Sequence, residues 1–256
     1  MKIALLQFDI AWENKSGNLM KVESLVSLCP GGTELIILPE MFNTGFSMNP
    51  AELAEKSESE TFSLMKALAE KSNAAICGSY IVEENGNYFN RWIFISPENE
   101  VHIYNKRHLF SPGGEDRLFA RGVERIIFNY KDLRICHNIC YDLRFPVWSR
   151  NRDDYDLLIN SANWPAARQD VWETLLKARA IENQCYVAGV NRTGTDGAGI
   201  DYSGGSVILG PNGEIMASGA NDTEGIIYGE ISPGELSDFR SKFPVLNDRD
   251  DFVISV

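Results

Sequence analysis

Three polar residues of the 256-residue chain stand directly after apolar segments that are predicted to be strands. Glu40 follows LIILP, Lys106 follows VHIYN, and Cys140 follows LRICHNI. In α/β proteins the ends of strands are where reactive groups collect. A carboxylate, an ammonium and a thiol at such ends could supply a general base, a cation for developing negative charge, and a nucleophile. Each residue alone also fits a solvated strand end or a buried, inert thiol.

Cys140 has the strongest local signal of the three. It is followed by YDLRFP, where an apolar strand gives way to polar residues and then to a proline suited to the first turn of a helix. A thiol on such a strand-to-helix turn is held near backbone N–H groups, as in other nucleophile elbows. Attack requires loss of the thiol proton, which a nearby base or cation promotes. The sequence therefore predicts a cysteine nucleophile that is assisted by Glu40 and Lys106.

Histidine and metal chemistry are the alternatives around this cysteine. The chain has three histidines, His102, His108 and His137, and none lies in a local signature of a cysteine protease. His137 precedes Cys140 by three residues on the same strand, so alternation directs the two side chains to opposite faces. The same alternation separates His137 from Cys136, and no second Cys/His pair completes a zinc site. The spacing favours neither a Cys-His dyad nor a zinc centre.

Composition narrows the class of partner and the compartment. The chain has 36 Asp and Glu against 24 Lys and Arg, a formal net charge of -12, which argues against nucleic acid and anionic membranes as partners. The opening MKIALLQFDI lacks a signal-peptide cleavage site, and no apolar run approaches the roughly 18 residues that a membrane helix needs. Five cysteines in apolar segments argue against a secreted disulfide framework. We expect a cytoplasmic protein.

Hydrophobic periodicity predicts many strands, few helices and no internal linker, so we expect a single domain over residues 1–256. Predicted strands cover 3–8, 35–38, 74–80, 91–95, 101–105, 125–128, 133–139, 156–161, 186–191, 205–209, 214–217 and 225–230. Predicted helices cover 19–29, 57–68, 170–183 and 233–240, with N-terminal caps at Ser57, Asp170 and Ser232. Hairpins in the middle and at the end favour an α/β fold of two packed sheets with helices outside, an αββα sandwich.

The three segments that carry the polar residues together resemble the signatures of the nitrilase, or carbon-nitrogen hydrolase, superfamily, whose catalytic set is Glu-Lys-Cys. They are LPEMFNTGF, NKRHLF and CYDLRFP, in the order of that family. The resemblance covers nearly the whole chain, through SANWP at 161–165, the stretch 175–192, and PNGEI near 211–215. It implies a four-layer αββα fold with two mixed sheets, no metal or organic cofactor, and a homodimer or larger homo-oligomer.

The resemblance also implies a role for each site residue. Glu40 is the general base for Cys140, which attacks the carbonyl carbon of an amide, and Lys106 with the backbone N–H of Tyr141 stabilises the oxyanion. Glu115, nine residues after Lys106, matches the second glutamate of the family, with Asp116 as its rival. Because a desolvated Lys106 needs a counter-charge, Glu115 is expected to orient Lys106 or the substrate.

Within the superfamily the chain is most similar to the omega-amidase branch, through CYDLRFPVWSRN, ANWPAAR and AGVNRTGTDG. That branch hydrolyses the terminal amide of 2-oxo dicarboxylate monoamides, such as 2-oxoglutaramate and 2-oxosuccinamate, to the 2-oxo acid and ammonia through a cysteine thioester. The alternatives are another amidase or N-carbamoyl amino acid hydrolase of the superfamily, and a non-catalytic binding member. The intact Glu-Lys-Cys set argues against the non-catalytic member.

A substrate with a distal carboxylate needs a cation in the pocket. Arg168, following ANWPAA, is the candidate because arginine clamps carboxylates bidentately, and its alternative is a surface arginine near a helix start. Phe42 and Trp164 lie beside signature segments and are expected to wall the pocket, with ordinary core packing as the alternative. Asp142 and Arg144 are expected to pair and fix the turn after the nucleophile rather than to bind substrate.

Overall fold

The computed structural model describes residues 1–255, which form two sets of strands and a small number of helices. The strands are β1 (Lys2–Gln7), β2 (Leu35–Ile37), β3 (Ala75–Glu84), β4 (Asn87–Ile95), β5 (Val101–Asn105), β6 (Ile127–Tyr130), β7 (Leu133–Ile139), β8 (Leu157–Ala162), β9 (Tyr186–Asn191), β10 (Thr193–Thr195), β11 (Asp201–Ser203), β12 (Val207–Leu209), β13 (Ile215–Ser218) and β14 (Gly225–Glu230). The helices are α1 (Lys15–Ser27), α2 (Pro50–Leu53), α3 (Glu60–Ser72), α4 (Pro146–Ser149), α5 (Gln169–Asn183) and α6 (Pro233–Lys242). No helix within residues 1–255 has the length and apolar character needed to cross a bilayer.

Twelve of the strands form two six-stranded mixed sheets. Sheet I has the order β14-β1-β2-β3-β4-β5, and sheet II has the order β13-β12-β9-β8-β7-β6. In each sheet three adjacent strands are parallel, β1 to β3 in sheet I and β7 to β9 in sheet II, and the remaining pairs are antiparallel. The carboxyl ends of parallel strands meet at one edge, which is where the polar residues of interest emerge.

The two sheets pack face to face, and helices cover their outer faces. The inter-sheet core contains fully buried residues of both sheets, including Leu5, Ile37, Phe94, Ile135 and Ile159. A second core lies between sheet I and helices α1 and α3, and a third lies between sheet II and α5. These four layers confirm the predicted αββα sandwich, in which each strand or helix buries its apolar face against a neighbouring layer.

Strand β2 shows why the central strands are apolar on both sides. Leu35 and Ile37 face the inter-sheet core, whereas Ile36 and Leu38 face the helices. A strand covered on both faces reads as a continuous apolar run rather than as an alternating one. This run ends at Pro39, so Glu40 emerges from a rigid, doubly buried strand.

Helix starts differ from prediction at two of three caps. The side chain of Ser59, not Ser57, accepts the hydrogen bond from the Phe62 N–H and caps α3. Helix α5 follows directly on a 3-10 turn and begins at Gln169, so Asp170 lies inside the first turn instead of capping it. The prediction was wrong there because the preceding turn supplies the helix start without a side-chain cap. Ser232 caps α6 as predicted.

The β3–β4 hairpin extends well beyond the predicted strands. Its turn consists of Asn85 and Gly86, whose φ angles are 53° and 77°, as a two-residue hairpin turn requires. The flanking residues are polar because this end of the hairpin is exposed. Strand prediction from apolar alternation therefore stopped too early. The hydrogen-bonded pair β10–β11 was not predicted, since each strand is only three residues long.

Candidate active site

Residues from both sheets meet at one edge of the sandwich. Glu40 follows β2 and Lys106 follows β5, both in sheet I, whereas Cys140 follows β7 in sheet II. Lys106 Nζ lies 2.7 Å from Glu40 Oε1, and both side chains are wholly shielded from solvent. Besides the effect of burial, the negative charge of Glu40 lies close enough to the Cys140 thiol to raise its pKa. The structure thus brings together the three residues that the sequence selected.

Glu115 joins this group, and Asp116 does not. Glu115 lies in a 3-10 turn, is buried, and places its Oε2 2.9 Å from Lys106 Nζ. The backbone N–H of Phe110 donates to the same oxygen at 2.6 Å, which fixes the carboxylate. Asp116 is exposed to solvent. Lys106 is therefore held between two buried carboxylates.

The electrostatics of this group keep Lys106 charged. Burial lowers the pKa of a lysine, but the negative charges of Glu115 and Glu40 outweigh it and raise the pKa of Lys106 above its usual value. Burial, and then the charge of Glu40, raise the pKa of Glu115, while Lys106 opposes both. An ammonium that cannot lose its proton is suited to donate hydrogen bonds to a developing oxyanion.

Cys140 occupies a strained backbone position at the start of a 3-10 turn, Cys140–Arg144. Its φ is 44°, in the left-handed region that non-glycine residues rarely adopt, and Met41, next to Glu40, has a φ of 43°. Strain of this kind clusters at functional sites because the surrounding structure must hold it in place. Pro146 opens α4 at its first turn, as the predicted elbow required.

The environment of the thiol keeps it protonated at rest. Burial, and then the negative charge of Glu40, raise the pKa of Cys140 well above its usual value, although Lys106 acts in the opposite direction. The Sγ–H also donates to the carbonyl oxygen of Asn163 at 3.7 Å. A base must therefore take the proton as the sulfur attacks, and Glu40 is placed to do so.

Two buried asparagines complete the group and were not predicted. Asn90 Nδ2 donates to Glu40 Oε1 at 2.8 Å and to Glu115 Oε1 at 3.2 Å, so one amide bridges both carboxylates. The backbone N–H of Asn163 donates to Glu40 Oε2 at 2.9 Å, and its side chain donates to the Glu40 carbonyl oxygen. The only sequence signal was the position of Asn163 in SANWP, directly after β8.

Cys140 opens onto a cavity of about 290 Å³. Aromatic and apolar side chains form most of its wall, and they include Trp12, Phe46, Met48, Phe110, Trp164 and Ile200. Trp164 lies in this wall as expected, and Tyr141 lines the cavity as well. Phe42 does not, because it is fully buried between sheet I and its helices, with its ring edge-on to Tyr80. Its position beside a signature segment reflected core packing.

Two arginines line the cavity, and each lies over an aromatic ring. The Arg144 guanidinium lies 5.1 Å from the ring centroid of Trp164, and that of the exposed Arg168 lies 5.8 Å from that of Phe110. Neither side chain forms an ion pair or hydrogen bond with any residue between 1 and 255. The predicted pairing of Arg144 with Asp142 is wrong, because Asp142 instead accepts hydrogen bonds from other groups. Arg144 is thus a binding candidate that the sequence analysis set aside.

His137 lies away from the thiol, as alternation predicted. Its ring stacks on Trp92 in the inter-sheet core, with centroids 3.9 Å apart, whereas Cys136 faces the core beneath α5. Burial lowers the pKa of His137 well below its usual value. Such a neutral imidazole packs as an aromatic ring.

The fold and the Glu-Lys-Cys group define a class of protein, and comparison with known families agrees. The carbon-nitrogen hydrolase family model matches residues 2–241, so this chain belongs to that family. The protein is accordingly a hydrolase acting on the carbon-nitrogen bonds of amides. The resemblance seen in the sequence is confirmed.

Particular relatives share almost their whole length with this chain. "Omega-amidase YafV" of Escherichia coli (strain K12) is 42% identical over 98% of both chains. "2-oxoglutaramate amidase" of Bacillus subtilis (strain 168) is 35% identical over 96% of both. Among solved structures, XC1258 from Xanthomonas campestris, described as a CN-hydrolase superfamily protein with an arsenic adduct in the active site, is 38% identical. It has a TM-score of 0.97 and covers 100% of this chain and 99% of its own.

Proposed function

We propose that this protein is an omega-amidase, which hydrolyses the terminal amide of 2-oxoglutaramate and 2-oxosuccinamate to the 2-oxo acid and ammonia. The observation that carries the proposal is the buried Glu40–Lys106 pair beside the Cys140 thiol, which opens onto a small cavity lined by two arginines. The names of the full-length relatives support the choice of substrate.

In the first half-reaction, Glu40 accepts the thiol proton while Cys140 Sγ bonds to the amide carbon. The carbonyl oxygen becomes an oxyanion, which accepts hydrogen bonds from Lys106 Nζ and from the backbone N–H of Tyr141. The Tyr141 N–H belongs to the first residues of a 3-10 turn, whose N–H groups have no partner inside the turn. Glu40 then protonates the nitrogen, the carbon-nitrogen bond breaks, and ammonia leaves with a thioester remaining.

In the second half-reaction, Glu40 takes a proton from water, and the resulting hydroxide attacks the thioester carbon. The same two donors stabilise the second oxyanion, the carbon-sulfur bond breaks, and Glu40 returns its proton to the Cys140 sulfur. One carboxylate thus serves both halves, and no step requires a metal or an organic cofactor. Glu115 holds Lys106 in place and charged throughout, since it contacts the ammonium at 2.9 Å.

The substrate carboxylate is held by the two arginines that line the cavity. Burying a carboxylate without a partner costs several kcal/mol, so an acidic protein must place a cation deliberately. Arg144 is half-buried against Trp164, and Arg168 is exposed near the mouth, so Arg144 contributes more of the recognition. Trp164 and Phe46 then exclude water from the carbon chain of the substrate.

Removing either arginine is expected to discriminate between charged and neutral substrates. Arg144→Ala should lower kcat/KM for 2-oxoglutaramate by roughly 2 kcal/mol, about 30-fold, relative to a neutral primary amide of similar length. Arg168→Ala should have a smaller effect because solvent screens the exposed guanidinium. The measurement is kcat/KM on both substrates, with the exposed Arg152→Ala as control. Equal losses on both substrates would contradict carboxylate binding by these arginines.

Lys106→Arg is expected to lower kcat by about 100-fold although the charge is kept. A planar guanidinium cannot place one donor where the compact ammonium sits, 2.7 Å from Glu40 and 2.9 Å from Glu115, and still reach the oxyanion. Steady-state ammonia release measures the loss, and the exposed Lys66→Arg on α3 is the matched control. A Lys106→Arg variant with kcat near that of the wild type would refute the oxyanion role.

The experiment that tests the function is an ammonia-release screen with the purified protein. Its substrates are 2-oxoglutaramate, 2-oxosuccinamate, glutamine, asparagine, simple nitriles and N-carbamoyl amino acids. The proposal requires the highest kcat/KM for the two 2-oxo acid amides. Release of CO2 from N-carbamoyl substrates would indicate an N-carbamoyl amino acid hydrolase. No turnover of any compound, in a protein whose Cys140 can still be alkylated, would indicate a non-catalytic binding member.

We further propose that the enzyme works in the cytoplasm and forms a homodimer, without nucleic acid or membrane partners. The acidic composition and five free cysteines support the compartment. The resemblance to the superfamily supports the dimer.

A further inference from the structure

The carboxylate of Asp142 is buried two residues after the nucleophile and accepts four hydrogen bonds. Its Oδ2 accepts from the backbone N–H of Ile139 at 3.0 Å and from Tyr104 OH at 2.7 Å. Its Oδ1 accepts from the backbone N–H and from Nδ1 of His108, both at 2.8 Å. The proposed mechanism uses neither Asp142 nor His108.

His108 is the only basic side chain within ion-pair distance of Asp142 in residues 1–255. Its imidazole stacks on Phe145 with ring centroids 3.8 Å apart and an angle of 9° between the planes. Trp148 meets the same ring edge-on at 5.9 Å. Two aromatic residues just beyond the nucleophile turn therefore hold the imidazole in the orientation that directs Nδ1 at Asp142.

The second side chain that donates to Asp142, Tyr104, is also fixed in place. Burial, and then the negative charge of Asp142, raise the pKa of Tyr104 well above its usual value, so the phenol keeps its proton and donates. The Tyr104 oxygen in turn accepts hydrogen bonds from Trp148 Nε1 at 3.0 Å and from the Arg107 N–H at 3.2 Å. The Asp142 carboxylate thus lies in a hydrogen-bond network in which the direction of each donor is fixed.

This network joins the two loops that carry catalytic groups. His108 lies two residues after Lys106, and Asp142 lies two residues after Cys140, so the hydrogen bonds between them fix one loop against the other. Asp142 also holds the N–H of Ile139, immediately before the strained Cys140 backbone with its φ of 44°. We call the hydrogen bonds between His108 and Asp142 the brace. Because backbone strain persists only where the surroundings enforce it, loss of the brace should let the strained turn at Cys140 relax.

We infer that His108 is a positioning residue, which acts through Asp142 to hold the Cys140 turn in register with Lys106. With the brace intact, one substrate carbonyl group can be attacked by the Cys140 sulfur. The same carbonyl oxygen accepts hydrogen bonds from the Tyr141 N–H and the Lys106 ammonium. A shift of about 1 Å between such groups is enough to lower the rate on the order of 100-fold. This inference rests on the proposed amidase function and adds to it a residue outside the Glu-Lys-Cys group.

Two substitutions separate the hydrogen bond from the packing of the ring. His108→Phe keeps an aromatic ring against Phe145 but has no donor, whereas His108→Asn has a donor but no ring. We expect His108→Phe to lower kcat on 2-oxoglutaramate by about 10- to 100-fold with KM changed less than about threefold. His108→Asn should retain kcat within about fivefold of the wild type. Alkylation of Cys140 by iodoacetamide should slow in His108→Phe and not in His108→Asn.

Three further results complete the test. If His108→Phe does not fold, as judged by circular dichroism and thermal unfolding, Asp142→Asn at similar size replaces it and should show the same loss of kcat. The inference is overturned if the folded donor-free variant keeps kcat within about twofold, or if His108→Phe and His108→Asn lose the same amount. A wild type that hydrolyses no amide would instead refute the proposed function, and the alkylation rates would still test the brace.

Discussion

Cys140→Ala is expected to abolish ammonia release from 2-oxoglutaramate, with kcat lowered by at least about 10⁴-fold. The loss should be this large because the sulfur forms the covalent bond of the reaction. The substitution removes only a sulfur facing a cavity, so the folded structure should survive. Ammonia release and thermal unfolding measure the two effects.

Cys136→Ala is the matched control for that result. Cys136 lies on β7, four residues before Cys140, and is buried in the core beneath α5. Burial raises the pKa of Cys136 to about 11, so this thiol is an inert core residue. The variant should lose some stability and keep its kcat. If Cys136→Ala lost activity while Cys140→Ala kept it, the nucleophile would have been assigned to the wrong residue.

Glu40→Gln is expected to lower kcat by about 10²- to 10⁴-fold, the usual contribution of a general base. The amide has the size of the carboxylate, and its one oxygen can still accept the hydrogen bond from Asn90, while its NH2 group cannot accept the one from the Asn163 N–H. It cannot take the thiol proton, whose loss burial opposes. Both half-reactions should therefore slow, as measured by single-turnover and steady-state ammonia release.

Glu115→Gln distinguishes proton transfer from electrostatic support. It removes one of the two negative charges next to Lys106, as Glu40→Gln does, but leaves the Glu40 carboxylate as the base. We expect a smaller loss of kcat, on the order of 10-fold. A larger loss in Glu115→Gln than in Glu40→Gln would transfer the base to Glu115.

The positions of the main site residues could be predicted because each follows an apolar strand. Glu40, Lys106 and Cys140 interrupt strong hydrophobic patterns, and those patterns fix where strands end. Glu115 could be found only through the family resemblance, because it lies in an irregular loop without periodicity. The role of Asn90 could not be predicted from the sequence, since a single amide in an apolar strand does not alter the hydrophobic pattern of that strand.

The wrong predictions have geometric causes. Asp142 and Arg144 were expected to pair because of their opposite charges, but residues two apart on a helical turn do not face each other. The Asp142 carboxylate turns instead to His108 and Tyr104, which a sequence pattern cannot place nearby. Phe42 follows Glu40 by two residues, yet the tight turn at Met41 directs it into the core.

Rapid-quench mass spectrometry of the wild type with 2-oxoglutaramate tests the central claim most directly. The account predicts a transient adduct on the protein with the mass of the substrate less ammonia, located on the peptide that contains Cys140. The adduct should form no more slowly than ammonia is released and should decay with release of the 2-oxo acid. Ammonia release without any adduct on Cys140 under conditions that trap a thioester, or an adduct on Cys136, would contradict it.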